Sequence, residues 1–176
     1  MRRIADVIEY TPGAIYSYFK DKNEICFALH TRGFEKLNAM TAEALAGLSK
    51  RVDPIERLRV IGRTYIRFAL ENRSLYDLMF ISKKTGELIT AAAEWLPGQQ
   101  AFGTLRETVQ MIITKYELDW DPDVTAFMCW SSVHGCVSLV LCERCTPLGE
   151  IPPEKLIDAA QSQFIDMIKA RAKSGR

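Results

Sequence analysis

Apolar residues recur along this chain at steps of three and four rather than two, a pattern that predicts helices from end to end. No convincing period-2 run of strand length interrupts it, so the expected fold class is all-α. Ile4-Ala5-Asp6-Val7-Ile8 makes one short helix and Glu9-Tyr10 a tight turn. Thr11-Pro12-Gly13-Ala14-Ile15-Tyr16-Ser17-Tyr18-Phe19 makes a second, with Thr11 as N-cap and Pro12 as first helical residue. Asp21-Lys22-Asn23-Glu24 is a capping-box-like start. Behind it Ile25, Leu29, Leu37, Met40, Ala44 and Leu48 carry one long helix to about Gly47.

Asp53-Pro54-Ile55-Glu56 repeats the start signal, and Leu58, Ile61, Tyr65 and Phe68 keep one face apolar as far as Glu71. Ser74-Leu75-Tyr76-Asp77 opens a short apolar helix through Ile81. A helix over 85–96 is expected to stop at Pro97-Gly98. On the next, Phe102, Leu105, Val109, Ile112 and Tyr116 form a heptad-like stripe. Asp121-Pro122 opens a helix over 122–144 that is apolar on most sides and therefore must be buried. A Pro-rich linker over 146–153 leads to a final amphipathic helix over 154–173, giving about eight helices in all.

Two short helices across a tight turn suit a helix-turn-helix head, placed at residues 1–36, with a helical body over 37–176. Small side chains at Gly13, Ala14 and Ser17 allow the second helix a close approach to base edges, while Tyr16, Tyr18 and Lys22 reach phosphates. Ile4-Ala5, Thr11, Gly13-Ala14-Ile15-Tyr16, Phe19 and Lys20-Asp21-Lys22-Asn23-Glu24-Ile25 together resemble the head of the TetR family of repressors. The resemblance implies that Thr11, Pro12, Ala14 and Ser17 face bases or nearby backbone, with Tyr16, Tyr18 and Lys22 on phosphates. It implies a small head core of Ile4, Ala5, Ile15 and Phe19.

The chain departs from that pattern twice. The family has Ala-Gly-Val in the turn where this chain has Ile8-Glu9-Tyr10, so a left-handed turn would put Glu9 in a conformation costing about 1–2 kcal/mol and bring a negative charge toward phosphates. The family also braces its head with a preceding helix, whereas only Arg2 and Arg3 stand before Ile4, as expected of a truncated head or a start lying upstream.

In the body, Trp130-Ser131-Ser132-Val133-His134-Gly135 resembles the Trp-His-Gly signature of one class of TetR C-terminal domain. The resemblance implies a homodimer that pairs the helices near 122–144 and 154–173 with those of a second copy. Such a dimer sets two recognition helices ~34 Å apart on palindromic operator DNA. A helix apolar on most sides calls independently for extra neighbours. Tyr65, Phe68, Met79, Phe80, Trp95, Phe102, Met111, Phe127, Trp130 and His134 are the large or polarizable residues fit to line an apolar cavity for a small-molecule effector.

Composition narrows the alternatives. Hydrophobic residues at 48% and charged residues at 26% are those of a globular chain, and a net charge of +1 excludes a diffusely basic nucleic-acid coat while leaving room for a local patch. No run reaches the ~18 apolar residues of a membrane span, and the first residues lack a signal-peptide core, so a cytoplasmic location without membrane contact is expected. The five cysteines, Cys26, Cys129, Cys136, Cys142 and Cys145, are an odd, irregular set read as reduced, buried small hydrophobes. The lone pair Cys142-Glu143-Arg144-Cys145 is the weaker case for a thiol or metal sensor. There is no phosphate-cradling glycine loop, no Gly-x-Ser-x-Gly and no paired acidic motif at metal-ligand spacing, so neither catalysis nor a cofactor is expected. The rival to a regulator is a helical dimer that binds a small molecule or protein without binding DNA.

Overall fold

The computed structural model describes residues 2–83, 96–145 and 151–174, and all regular structure among them is helical. The head consists of α1 (Arg2–Val7) and α2 (Pro12–Tyr18). Thr11 caps α2 from an extended backbone, its Oγ1 accepting the Ala14 N–H at 3.1 Å. Asp21 caps α3 (Lys22–Ala46) by accepting the Asn23 and Glu24 amides at 2.7 and 3.0 Å, and Glu24 reaches back to the Lys20 N–H at 2.6 Å. An Asp-Pro pair starts both α4 (Pro54–Glu71) and a helix over Pro122–Leu141, with Asp53 accepting from Ile55 and Asp121 from Val124, each at 2.8 Å.

After α4 the short α5 (Arg73–Tyr76) runs directly into one π-helical turn, Asp77–Ile81. The remaining helices are α6 (Leu96–Tyr116), α7 (Pro122–Leu141) and α8 (Pro153–Ser174). Two boundaries differ from expectation. The expected stop at Pro97-Gly98 is instead the first turn of α6, where a proline lacks only an N–H that no helix would use. That turn is tied to α3 by Asn38, whose Nδ2 donates to the Pro97 carbonyl at 2.9 Å. α7 ends at Leu141 rather than near 144. The helix expected over 85–96 lies outside the described residues apart from Leu96, and so does most of the 146–153 linker.

α4 is the hub, packed against α3, α6, α7 and α8. Its apolar stripe divides the core. Tyr65, Ile66, Phe68 and Ala69 join Phe34, Leu37, Tyr76, Met79, Val133, Val137 and Ile157 on one side. Ile55 and Leu58 join Leu105, Val109, Ile112, Tyr116, Ala126, Cys129 and Ile165 on the other. Trp130 packs against both groups.

α7 reaches the mean hydropathy of a membrane-crossing helix, 1.6 over 18 residues, although polar residues interrupt every apolar run within it. Only 22% of that window is buried within the chain. Val124, Phe127, Met128 and Leu139 stand more than half exposed along it, as Met167 does on α8.

Three helices end alike. Glu9, Glu117 and Glu143 take left-handed backbone at φ 56°, 54° and 56°, a conformation that strongly favours glycine. The residue after each donates back across the last turn: Tyr10 to the Ala5 carbonyl at 2.9 Å, Leu118 to Ile113 at 3.1 Å and Arg144 to Leu139 at 2.8 Å. The turn of the head keeps its left-handed position, and Glu9 occupies it.

Candidate functional site: an apolar cavity joined to an exposed head

A cavity of about 1140 Å³ opens between α3, α4, α6, α7 and α8. Of the residues expected to line it, Tyr65, Met79, Phe80, Phe102, Phe127, Trp130 and His134 do meet at its wall. Phe68 does not. It is fully buried three residues past Tyr65, turned away from the cavity into the core shared with Phe34 and Val137. Met111 does not either: it is 49% exposed, one step off the Leu105-Val109-Ile112 stripe that faces inward. Trp95 lies outside the described residues.

The π-turn after α5 brings Met79 and Phe80 to the wall, and Gly33 of α3 receives Met79. A Cβ at Gly33 would overlap the Met79 sulfur. Phe80 sits at the centre of an aromatic cluster, with ring centroids 5.2 Å from Phe34, 5.6 Å from Tyr65, 5.0 Å from Tyr76 and 6.2 Å from Trp130.

At this end the polar groups form one chain. Trp130 Nε1 donates to Tyr65 Oη at 3.4 Å, and the Tyr65 and Tyr76 hydroxyls lie 3.4 Å apart. Both tyrosine hydroxyls also contact His134 Nδ1, at 2.9 and 2.7 Å, and His134 Nε2 lies 3.3 Å from Ser138 Oγ one turn along α7. Burial lowers the His134 pKa, so the ring is neutral near pH 7 and its Nδ1 accepts while Nε2–H donates to Ser138. Burial raises both tyrosines above the ordinary value, so their hydroxyls stay protonated and donate. The cluster's donors are thus bonded within it, and it holds no activated nucleophile.

Sequence reasoning missed several lining residues. His30 is fully buried in α3 with its ring 5.0 Å from Phe34, and burial pushes its pKa down to about 4. Arg57 stands on α4 among a run of arginines that reads as a solvated face, yet it lines the cavity, its Nε donating to Thr108 Oγ1 at 3.0 Å. Gln161 of α8 lies across Gly62 of α4, where a Cβ would overlap Gln161 Nε2. No local signal marks that pairing.

In the head, α2 presents the expected residues outward. Tyr16 is 55% and Tyr18 77% exposed, Thr11, Ser17 and Lys22 are exposed, and Pro12 and Ala14 are half-buried. Ser17 Oγ donates to the Ala14 carbonyl at 2.6 Å. Ala5 and Ile15 are buried and Phe19 half-buried, as a head core requires, but Ile4 is 39% exposed because only the Ala5 side of α1 meets α2. The cysteines divide similarly. Cys129 is buried, with its thiol pushed up to about 12, whereas Cys142, expected to be buried, is exposed just past the end of α7. Among the described residues no three His, Cys, Asp or Glu side chains group so as to hold a metal ion.

No curated protein matches the chain in sequence. Its fold is shared with solved structures. A protein of unknown function from Rhodococcus sp. RHA1 superposes with a TM-score of 0.69 at 20% identity, over 94% of this chain and 82% of its own. The TetR family transcriptional regulator PfmR from Thermus thermophilus superposes with a TM-score of 0.65 at 18% identity, over 95% and 85%. The model of the tetracyclin repressor-like C-terminal domain matches residues 58–164, which include the cavity's α6, α7 and π-turn walls and most of its α4 and α8 residues. That match spans more than half of the chain, and the chain belongs to the TetR-like family of transcriptional regulators.

Proposed function

We propose that this chain is a ligand-responsive transcriptional regulator, acting as a repressor. In this reading the head over 1–36 binds palindromic operator DNA, and a small, mostly apolar effector in the body over 37–176 sets its affinity. The observation that carries the reading is α3. One unbroken helix begins four residues past the recognition helix α2, and its residues from His30 to Leu45 line the cavity. Whatever occupies the cavity thus touches the same helix to which the head is joined.

Dimerisation completes the reading. The exposed Val124, Phe127, Met128 and Leu139 of α7, with Met167 of α8, form the kind of apolar face that a second copy covers. Two heads then sit about one DNA turn, ~34 Å, apart. Thr11, Pro12, Ala14 and Ser17 serve base edges and nearby backbone, and Tyr16, Tyr18 and Lys22 serve phosphates. A cytoplasmic protein without membrane contact is consistent with this use.

The test is binding to DNA from the flanks of the encoding gene at two salt concentrations, together with the mass of the particle in solution. A dimer that binds a discrete site, more weakly at higher salt, supports the regulator. A dimer that binds no such DNA, even with the head extended upstream, leaves the non-DNA-binding alternative.

A further inference from the structure

The cavity exceeds the roughly 300–1,000 Å³ of ordinary small-molecule sites. It is also long: α3 lines it from His30 to Leu45, which at 1.5 Å per residue spans about 22 Å. Its wall varies in chemistry. Around Tyr65, Phe80, Trp130 and His134 the walls are aromatic, and the polar groups there are already bonded to one another. Two polar groups of the wall are not so satisfied, one on α4 two turns before Tyr65 and one on α8 across from Gly62, a turn before Tyr65.

Arg57 is one. Apart from the bond from Nε to Thr108, its guanidinium has no acidic partner among the described residues, and Glu107, the carboxylate of the described lining, is exposed and unpaired with it. Gln161 is the other. It lines the cavity at 8% exposure, and its carboxamide has no hydrogen-bond partner among the described residues. It lies over Gly62, about 7.5 Å along the α4 axis from Arg57.

A guanidinium cannot shed its proton, so a neutral apolar occupant would strip water from an unpaired cation. A carboxylate would instead meet it through two parallel hydrogen bonds. The two histidines of the lining are neutral by burial, which leaves Arg57 as the one cation among the described lining residues.

We propose that the cavity takes an elongated, mostly hydrocarbon carboxylate, its anionic head held by Arg57 and Gln161 and its chain laid toward Tyr65, Phe80 and Trp130. This rests on reading the cavity as the effector site, and it adds the charge, the shape and the orientation of the effector. Arg57→Met is a clean probe, because the buried Thr108 keeps its own bond to the Thr104 carbonyl at 3.0 Å.

The experiment is calorimetric titration of the full chain with dodecanoate and with 1-dodecanol, both below their aggregation limits, on wild type, Arg57→Met, Arg57→Lys and Gln161→Leu. One dodecanoate binds per chain, about 10- to 100-fold tighter than the alcohol, as expected for a charge-assisted pair. Arg57→Met reduces the carboxylate to the affinity of the alcohol and leaves the alcohol bound as tightly as before or more tightly, since no cation is left to desolvate. Arg57→Lys falls between, and Gln161→Leu weakens the carboxylate several-fold. Should Arg57→Met fail to fold, the acid-against-alcohol comparison on wild type and the Lys variant still decide. Equal binding of acid and alcohol, or equal weakening of both by Arg57→Met, overturns the anionic assignment while leaving the cavity as an effector site. Binding of neither overturns that underlying reading as well.

Discussion

Glu117 stands just past α6 at φ 54°, where a residue with a Cβ bears a cost of about 1–2 kcal/mol that glycine does not. Its carboxylate also faces the negative end of the helix dipole, an unfavourable placement worth about 0.3–1 kcal/mol. Against these, glycine gives the unfolded chain about 0.5–1 kcal/mol more conformational freedom. The balance for Glu117→Gly is a stabilisation of about 1 kcal/mol, which for a chain of 176 residues raises the melting temperature by roughly 2–4 °C. Circular dichroism melts at fixed protein concentration measure it. The ordering is more telling than the single value. Asparagine tolerates left-handed backbone and falls between glycine and glutamate, and valine, which does not, melts below wild type. The bond from Leu118 to the Ile113 carbonyl is main-chain to main-chain and survives all three changes. A glycine variant that melts lower than wild type, or a valine variant that matches it, refutes the strain argument.

The same change in the head, Glu9→Gly, relieves the same strain and removes a negative charge from the face proposed to meet DNA; on that proposal operator affinity rises several-fold, measured by fluorescence anisotropy, with the gain shrinking as salt is added. Gly62→Ala drives a Cβ into the carboxamide of Gln161, which must turn aside; offset by the roughly 0.5–1 kcal/mol that alanine gains inside a helix, the net cost is about 1 kcal/mol or less in chemical denaturation. Adding Gln161→Ala recovers at least half of that loss, and purely additive effects would disprove the contact. Burial pushes the Asp53 carboxyl up, but hydrogen bonds from Lys115, Tyr116 and the Ile55 amide outweigh it and hold the group below its ordinary 3.8. Its stabilising effect is therefore complete above that ordinary value and fades as pH falls toward the lower folded value. Asp53→Ala costs about 1–2 kcal/mol at pH 7 through the lost cap and flattens this part of the acid limb of the stability curve.

Much of the fold was legible because the signals that start helices are local. Thr11, Asp21, Asp53 and Asp121 each accept the amide bonds that their sequence context predicts. Pro97 was misread since a proline marks either the end of one helix or the first turn of the next, and here the choice is made by Asn38, far away on α3. Within the cavity, Tyr65 and Phe68 share one apolar face, and periodicity cannot tell which part of a wide face meets empty space and which meets packed core. Met111 is a different kind of miss, because the stripe through Leu105, Val109 and Ile112 already excluded it. Gln161 and Arg57 look like surface residues in their own helices. Their burial comes from Gly62 and Thr108 on neighbouring helices, contacts that only the folded chain supplies.

The length of α3 sets a mechanical ratio. Its 25 residues make a rod about 37 Å long, held along its later part by the cavity walls and bearing the head at its start. A tilt of about 5° about the far end carries the first turn by about 3 Å, roughly the rise of one base pair. Two such rods related by a two-fold axis double the change in spacing between their heads. In the dimer proposed above, an adjustment at the cavity smaller than a methyl group would thus be enough to take the two proposed recognition helices out of step with successive turns of the DNA groove.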